Sequence, residues 1–196
     1  MMQSREEQAR RFATHAHAEA GQRRKYSDEP YIVHPAAVVE LVRSVPHSEA
    51  MLLAAWLHDT VEDTATTLQD LRAQFGKEVA ALVEMLTDVP QPQAKNRMAR
   101  KLAHFQHTAQ ASPPAQTIKL ADIIDNTRNI VRVDPDFARV YLMEKRLQVQ
   151  LLSAGDPTLL RQAQQVIEGG IAQLQEKPWR VPAAWFEALE ARYRGR

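Results

Sequence analysis

Apolar residues recur at three- and four-residue intervals along almost the whole chain, with Ala, Leu, Gln, Glu and Arg as the commonest fillers. That period is helical, and strand-like alternation is scarce. The pattern predicts an all-α protein of about nine to eleven helices, organised as one domain over residues 1–196 with no internal repeat and no long linker. The first helix is expected over about Ser4 to Ala20, with Gly21 as its stop. A polar loop from Gln22 to Glu29 follows, then Pro30, an extended Tyr31-Ile32-Val33, and a helix opening at His34-Pro35, where proline suits a first turn. Ser48 is expected to cap a helix that runs into His58-Asp59. Thr66 or Thr67 starts a short helix ending near Gly76, and another covers about Lys77 to Leu86. Pro90 and Pro92 mark a loop, a basic helix covers about Ala94 to Gln110, and Ser112-Pro113-Pro114 opens a segment through Val131. Helices over roughly Pro135 to Ser153 and Pro157 to Gln175 precede a tail, Pro178 to Arg196, that holds a last short helix.

Composition narrows the function classes. Apolar residues make up 44% and charged residues 25% of 196, an ordinary globular mixture. The net charge of +1 argues against a large nucleic-acid footprint. No apolar run approaches the ~20 residues of a membrane helix, and the polar start from Met1 to Glu7 does not read as a signal peptide. There is no cysteine, which excludes disulfides and thiolate ligands and fits a reducing cytoplasm. Any metal must therefore be held by His, Asp, Glu and water. The six glycines form no phosphate-binding loop and no dinucleotide fingerprint.

The chemistry concentrates where the apolar run Met51 to Leu57 meets His58-Asp59-Thr60-Val61-Glu62-Asp63. Charged groups are costly to bury unless paired or bound to a metal. On a continuous helix His58 and Glu62 would form one row and Asp59 and Asp63 the next, all in one arc. A second segment, Lys119 to Asn129, sets Asp122, Asn126 and Asn129 on a narrow polar stripe with Asp125 at its edge. Taken alone, that stripe reads first as the solvated side of an ordinary amphipathic helix. His34, after its apolar step, is a third candidate. Together His34, His58, Asp59 and Asp122 would give a mixed imidazole and carboxylate site suited to manganese, iron or zinc rather than calcium. Glu62 and Asp63, one turn on, could orient a water or move its proton. The basic run Lys95, Arg97, Arg100 and Lys101 would suit a substrate with several phosphates, or be a solvated face.

The chain resembles the HD-domain hydrolases of the RelA/SpoT type, in particular the small single-domain alarmone hydrolases. The blocks that carry the resemblance are Gln22-Arg23-Arg24-Lys25, Pro30 to Pro35, Leu57 to Thr64, Phe75 to Val79 and Lys119 to Arg128. Beyond about Val131 the likeness is only that the chain is helical. The resemblance implies an HD-domain helical bundle and a cytoplasmic, manganese-dependent enzyme that removes the 3′-pyrophosphate of guanosine alarmones (ppGpp and pppGpp). By position it implies His34, His58, Asp59 and Asp122 as metal ligands, Glu62 and Asp63 as the water-activating pair, and Arg24, Lys25 and Asn126 as contacts to the nucleoside. Asn129 stands where the family often has a small hydroxyl residue, and Asp125 where an aromatic or His is common. Both bear on the base and ribose pocket. Lys95, Arg97 and Lys101 would then receive distal phosphates. Two rivals stay open: a hydrolase of an adenosine alarmone or a ribose-phosphorylated dinucleotide such as NADPH, and a module that binds alarmone without cleaving it. With no synthetase or sensing domain in these residues, control is expected from expression, substrate supply or a partner. Oligomeric state is not legible.

Overall fold

The helix Glu49–Leu57 is apolar on every side, and each residue from Ala50 to Leu57 is buried. A helix without a polar face can only be central, and the others are arranged around it. The computed structural model describes residues 3–195, so the expectations for Met1, Met2 and Arg196 lie outside the described residues. In chain order the elements are α1 (Arg5–Glu19), α2 (Val33–Arg43), α3 (Glu49–Leu57), α4 (Thr60–Asp63), α5 (Leu68–Phe75), α6 (Lys77–Leu86), α7 (Arg97–Ala109), α8 (Pro113–Thr127), α9 (Ile130–Val133), α10 (Pro135–Gln150), α11 (Pro157–Gln175) and α12 (Ala183–Tyr193). Two of the twelve, α4 and α9, are single turns, which leaves ten longer helices among the described residues, within the predicted range. None of them is long and apolar enough to cross a membrane.

Helix α3 packs against α1, α2, α6 and α8. Helix α8 is nearly as central: it touches α2, α3, α6, α7, α10 and α11, and Ile118, Leu120, Ala121 and Ile124 are fully buried. The ends of the helices follow local chemistry. Ser4, Ser48, Asn96, Ser112, Asp134 and Asp156 each accept a backbone N–H of the first turn that follows. Thr67 and Asp70 form a reciprocal capping box, and Gly76, at φ 92°, makes the sharp joint between α5 and α6.

Four expectations are corrected. Tyr31-Ile32-Val33 is not extended: Ile32 is helical (φ −55°, ψ −22°), and Val33 and His34 donate to the carbonyls of Pro30 and Tyr31. β-Branched residues read as strand in isolation, but here a tight turn delivers His34 into the first turn of α2. The predicted continuous helix through His58 breaks there, because Asp59 leaves helical geometry (φ −102°, ψ −2°) and the Thr60 hydroxyl donates to the Leu57 carbonyl at 2.8 Å. Helix α8 stops at Thr127 instead of reaching Val131, with Asn129 (φ −119°, ψ 6°) separating it from α9. Helix α10 ends at Gln150 instead of Ser153, its last carbonyls taken in tight i to i+3 bonds by Leu151 and Leu152.

The C-terminal helices pack on this body. Helix α11 lies against α8 and α10, and α12 against α10. Gly155 permits the close approach, since a Cβ there would meet Leu120 Cδ1 at 2.6 Å and the backbone of Gln116 at 3.3 Å.

Candidate metal centre

Three elements meet at the open end of the α3–α8 pair. The first turn of α2 supplies His34, the α3–α4 break supplies His58 and Asp59, and the middle of α8 supplies Asp122. One ligand atom from each of these four lies within 4.8 Å of all the others. His34 Nε2 is 3.0 Å from Asp122 Oδ1 and 3.6 Å from Asp59 Oδ2; His58 Nε2 is 3.1 Å from Asp59 Oδ2 and 3.5 Å from Asp122 Oδ1. His34, His58 and Asp122 are buried, at 1%, 3% and 6% exposure.

The far side of each ring fixes its tautomer. His58 Nδ1 donates to the Ala55 carbonyl at 2.7 Å, and His34 Nδ1 donates to Asp125 Oδ2 at 2.6 Å. Both Nε2 atoms therefore face the gap. His58 Nε2 is buried there without a hydrogen-bond partner. A buried polar atom needs a partner, and a divalent cation fits this donor set of two imidazoles and two carboxylates. Burial works against a charged His58, but Asp59 and Asp122 outweigh it and hold its pKa well above the ordinary value. Burial likewise works against ionised Asp122, but Lys119, His34 and His58 hold it well below the usual carboxylate range.

A second group overlaps the first at Asp59, with ligand atoms of Asp59, Glu62 and Asp63 within 4.8 Å of one another. The single turn α4 aims Glu62 and Asp63 at the same side. Glu62 Oε1 accepts the backbone N–H of Asp88 at 3.0 Å, and Asp63 Oδ2 accepts from Gln22 Nε2 at 3.0 Å. Glu62 is exposed as a residue, yet the partial burial of its carboxyl, with Asp88 and Asp59 close by, pushes its pKa up to about 7. Burial also raises Asp63, against the opposing Gln22 hydrogen bond. Tyr31 donates to Asp59 Oδ2 at 2.6 Å and steadies that ligand.

The loop before α2 carries two of the predicted nucleoside contacts, Arg24 and Lys25, and Asn126 faces them from α8. Arg24 Nη1 donates to Asn126 Oδ1 at 3.2 Å, and its guanidinium lies 5.8 Å from the centre of the Tyr31 ring. Asn126 Nδ2 donates in turn to Asp122 Oδ1 at 2.9 Å, so this residue joins the loop to the ligand cluster. Lys25 sits further out, over the rings of Tyr26 and Phe137. Asn129 is exposed at the start of α9.

The basic helix divides. Arg97 is a correction: its guanidinium forks onto Glu144, both contacts at 2.9 Å, and Glu144 is 1% exposed and also accepts from Tyr193 at 2.6 Å. Arg97 therefore neutralises a buried carboxylate in α10, and the fork commits its Nε and Nη2 donors there rather than to a phosphate. Arg97→Ala would strand that charge, at a cost of about 3 kcal/mol. The expected result is a melting temperature lower by roughly 6–12 °C, with an unchanged KM for a phosphorylated substrate below the transition. Calorimetry and initial rates check this; a raised KM with an unchanged melting point would restore the substrate role. Lys95 is exposed ahead of α7, and Lys101 is half-buried.

Sequence reasoning missed two further lysines. Lys119 donates to Asp122 Oδ2 at 2.9 Å, and its i,i+3 spacing from Asp122 was a usable signal. Lys145 donates to Gln148 Oε1 at 2.8 Å, and burial followed by the charges of Lys119 and Lys101 lowers its pKa to about 7. Nothing in α10 distinguishes Lys145 from an ordinary surface lysine. Gln22, Tyr31 and Asp125 were also missed as supports of Asp63, Asp59 and His34. Their contacts span 41, 28 and 91 residues of chain, beyond any local pattern.

A family model described as HD domain matches residues 9–149 of this chain. The chain is 37% identical over 132 residues to the guanosine-3′,5′-bis(diphosphate) 3′-pyrophosphohydrolase MESH1 of Xenopus tropicalis, covering 66% of this chain and 71% of that one. The Homo sapiens protein of the same name is 38% identical over 128 residues, covering 64% of this chain and 69% of that one. A Synechocystis protein named as a probable guanosine-3′,5′-bis(diphosphate) 3′-pyrophosphohydrolase is 37% identical over 131 residues, or 65% of this chain, which spans only 17% of that relative's length. Among solved structures, one described as a metazoan ortholog of SpoT that hydrolyzes ppGpp superposes with a TM-score of 0.72 at 27% identity, covering 86% of this chain and 97% of that one.

Proposed function

Because this chain belongs to the HD-domain family, we propose that it is a metal-dependent phosphohydrolase that removes the 3′-pyrophosphate of guanosine tetraphosphate and pentaphosphate. The observation that carries this reading is the gathering of His34, His58, Asp59 and Asp122 around one gap that shares Asp59 with the Glu62-Asp63 pair. The relatives named for this activity support the substrate.

His34 and His58 through Nε2, with Asp59 and Asp122 through carboxylate oxygens, would hold the ion, and manganese is the proposed one. When bound, it supplies positive charge against the scissile phosphate and acidifies water. The protein's own groups do the rest. Glu62 and Asp63 orient a water toward the phosphorus that carries the ribose 3′ oxygen, and one of them takes its proton. The bond from that phosphorus to the 3′ oxygen breaks, the oxygen leaves with a proton, and GDP or GTP and pyrophosphate are released. Arg24 lays its guanidinium plane along the purine, Asn126 and Lys25 hold the nucleoside, and Asn129 is an outer contact. Lys101, Lys119 and Lys145, with Lys95 at the rim, receive the pyrophosphate.

Lys145 makes the binding of this substrate pH-dependent. Only its ammonium form attracts phosphate, and its pKa stands at about 7. From pH 6 to pH 8 the wild-type KM should rise as that proton is lost. Lys145→Met should show a KM raised roughly tenfold at pH 6 and flat across the range. Steady-state kinetics at several pH values check both, and parallel profiles would remove Lys145 from the pocket.

The experiment that tests the function is product analysis by mass after incubating the metal-loaded protein with guanosine and adenosine alarmones and with NADPH. Guanosine diphosphate with pyrophosphate is the expected outcome. Release of pyrophosphate from the adenine compound alone, of phosphate from NADPH alone, or binding without turnover would each overturn it.

A further inference from the structure

Asp125 has no role in the chemistry described above, yet it makes one of the shortest contacts of the site. Its Oδ2 lies 2.6 Å from Nδ1 of His34, whose side chain is fully buried. It projects from α8 three residues after Asp122, so one helix face supplies both a ligand candidate and the group behind another. The two histidines are thus backed differently: His58 by the neutral carbonyl of Ala55, His34 by a carboxylate. Arg24 Nη2 stands 3.8 Å from the same Asp125 oxygen, which fixes the carboxylate from the nucleoside side.

We infer that Asp125 is a positioning residue for the metal: it locks His34 as the Nδ1–H tautomer with the Nε2 lone pair in the ligand gap, and it makes that imidazole the stronger of the two nitrogen donors. This rests on the metal reading proposed above. The physical ground is that a ring held by a carboxylate is fixed in orientation and made more basic, whereas a backbone carbonyl fixes orientation with less effect on basicity. Losing such an outer partner typically costs 10–100-fold in metal affinity.

The test measures manganese affinity of the full chain, stripped of metal, by competition with a chelating dye at fixed pH, for wild type, Asp125→Asn and Asp125→Leu. Asp125→Leu removes the acceptor and should weaken manganese binding by roughly 10–100-fold. Asp125→Asn keeps an acceptor oxygen without the charge and should fall between the two. The proton spectrum gives a readout independent of metal: the His34 Nδ1–H resonance should lie far downfield in wild type, move upfield in Asp125→Asn and vanish in Asp125→Leu. A merely structural role would lower the melting temperature of the metal-free variants and leave manganese affinity unchanged. Wild-type protein that takes up no manganese overturns the metal reading and this inference with it. Wild-type uptake matched by Asp125→Leu overturns this inference alone.

Discussion

Asp59→Ala should lose manganese and turnover together. Asp59 is the residue shared by the ligand cluster and the acid pair, so its removal opens both. The loss of metal affinity should exceed the roughly 100-fold that an outer partner can cost, and activity should fall to background. The fold should survive, because the buried packing of α3 on α2, α6 and α8 does not depend on this carboxylate. Asp59→Asn provides the control for folding: its amide oxygen can still accept from Tyr31, as Asp59 does at 2.6 Å, while the charge facing the two imidazoles is gone. Thermal melting reads metal binding without any reference to activity. Manganese at about 100 times its dissociation constant stabilises the wild type by about 2.7 kcal/mol, roughly 5–10 °C for a chain of this size. Neither variant should shift with manganese. A metal-dependent shift of wild-type size in Asp59→Ala would remove this residue from the ligand set.

Glu62→Gln should separate binding from chemistry. The amide keeps the shape of the side chain and can still accept the Asp88 backbone N–H, now at 3.0 Å from Oε1. It cannot take a proton. Manganese affinity and KM should stay near wild type while kcat falls by about 10²–10⁴-fold, the usual contribution of a positioned acid or base. The same variant carries a stability signature of opposite sign. Burial and the nearby carboxylates hold the Glu62 pKa at about 7, so in the metal-free protein the folded state binds this proton more tightly than the unfolded state does. Ionised Glu62 then costs stability, absent below the ordinary carboxylate range and complete above pH 7. Metal-free Glu62→Gln should melt at a higher temperature than wild type at pH 8, with the gap closing as the pH falls toward 4.5. Unchanged kcat in this variant would assign the proton transfer elsewhere.

What could be read from the chain follows from how local each signal is. Helices α5, α6, α8 and α11 declare themselves through caps and breakers that sit beside them: Thr67, Gly76, Ser112 and Pro157. The His58-Asp59 step stands out because charge follows an apolar run. The arc drawn there assumed an unbroken helix, and the chain breaks at Asp59, so the four side chains divide between two overlapping groups. Convergence of His34 and Asp122 on that step has no local signal. Pooling the ligand-type residues of separate segments suggests it, the family resemblance supports it, and the fold brings the residues together. Arg97 shows the opposite failure. A run of basic residues invites a phosphate, but the partner of Arg97 is a buried carboxylate 47 residues away that no sequence window contains. Asp125 was visible at the edge of the polar stripe and as a departure from the family pattern, and its contact with His34 gives that departure a physical consequence.

The most direct test of the account is a crystal of the manganese-loaded chain measured at the manganese absorption edge. One anomalous peak should lie within bonding distance of Nε2 of His34 and His58 and of carboxylate oxygens of Asp59 and Asp122, with Glu62 and Asp63 facing its open side. An ion bound elsewhere, or a soaked crystal with no peak between those residues, would contradict it.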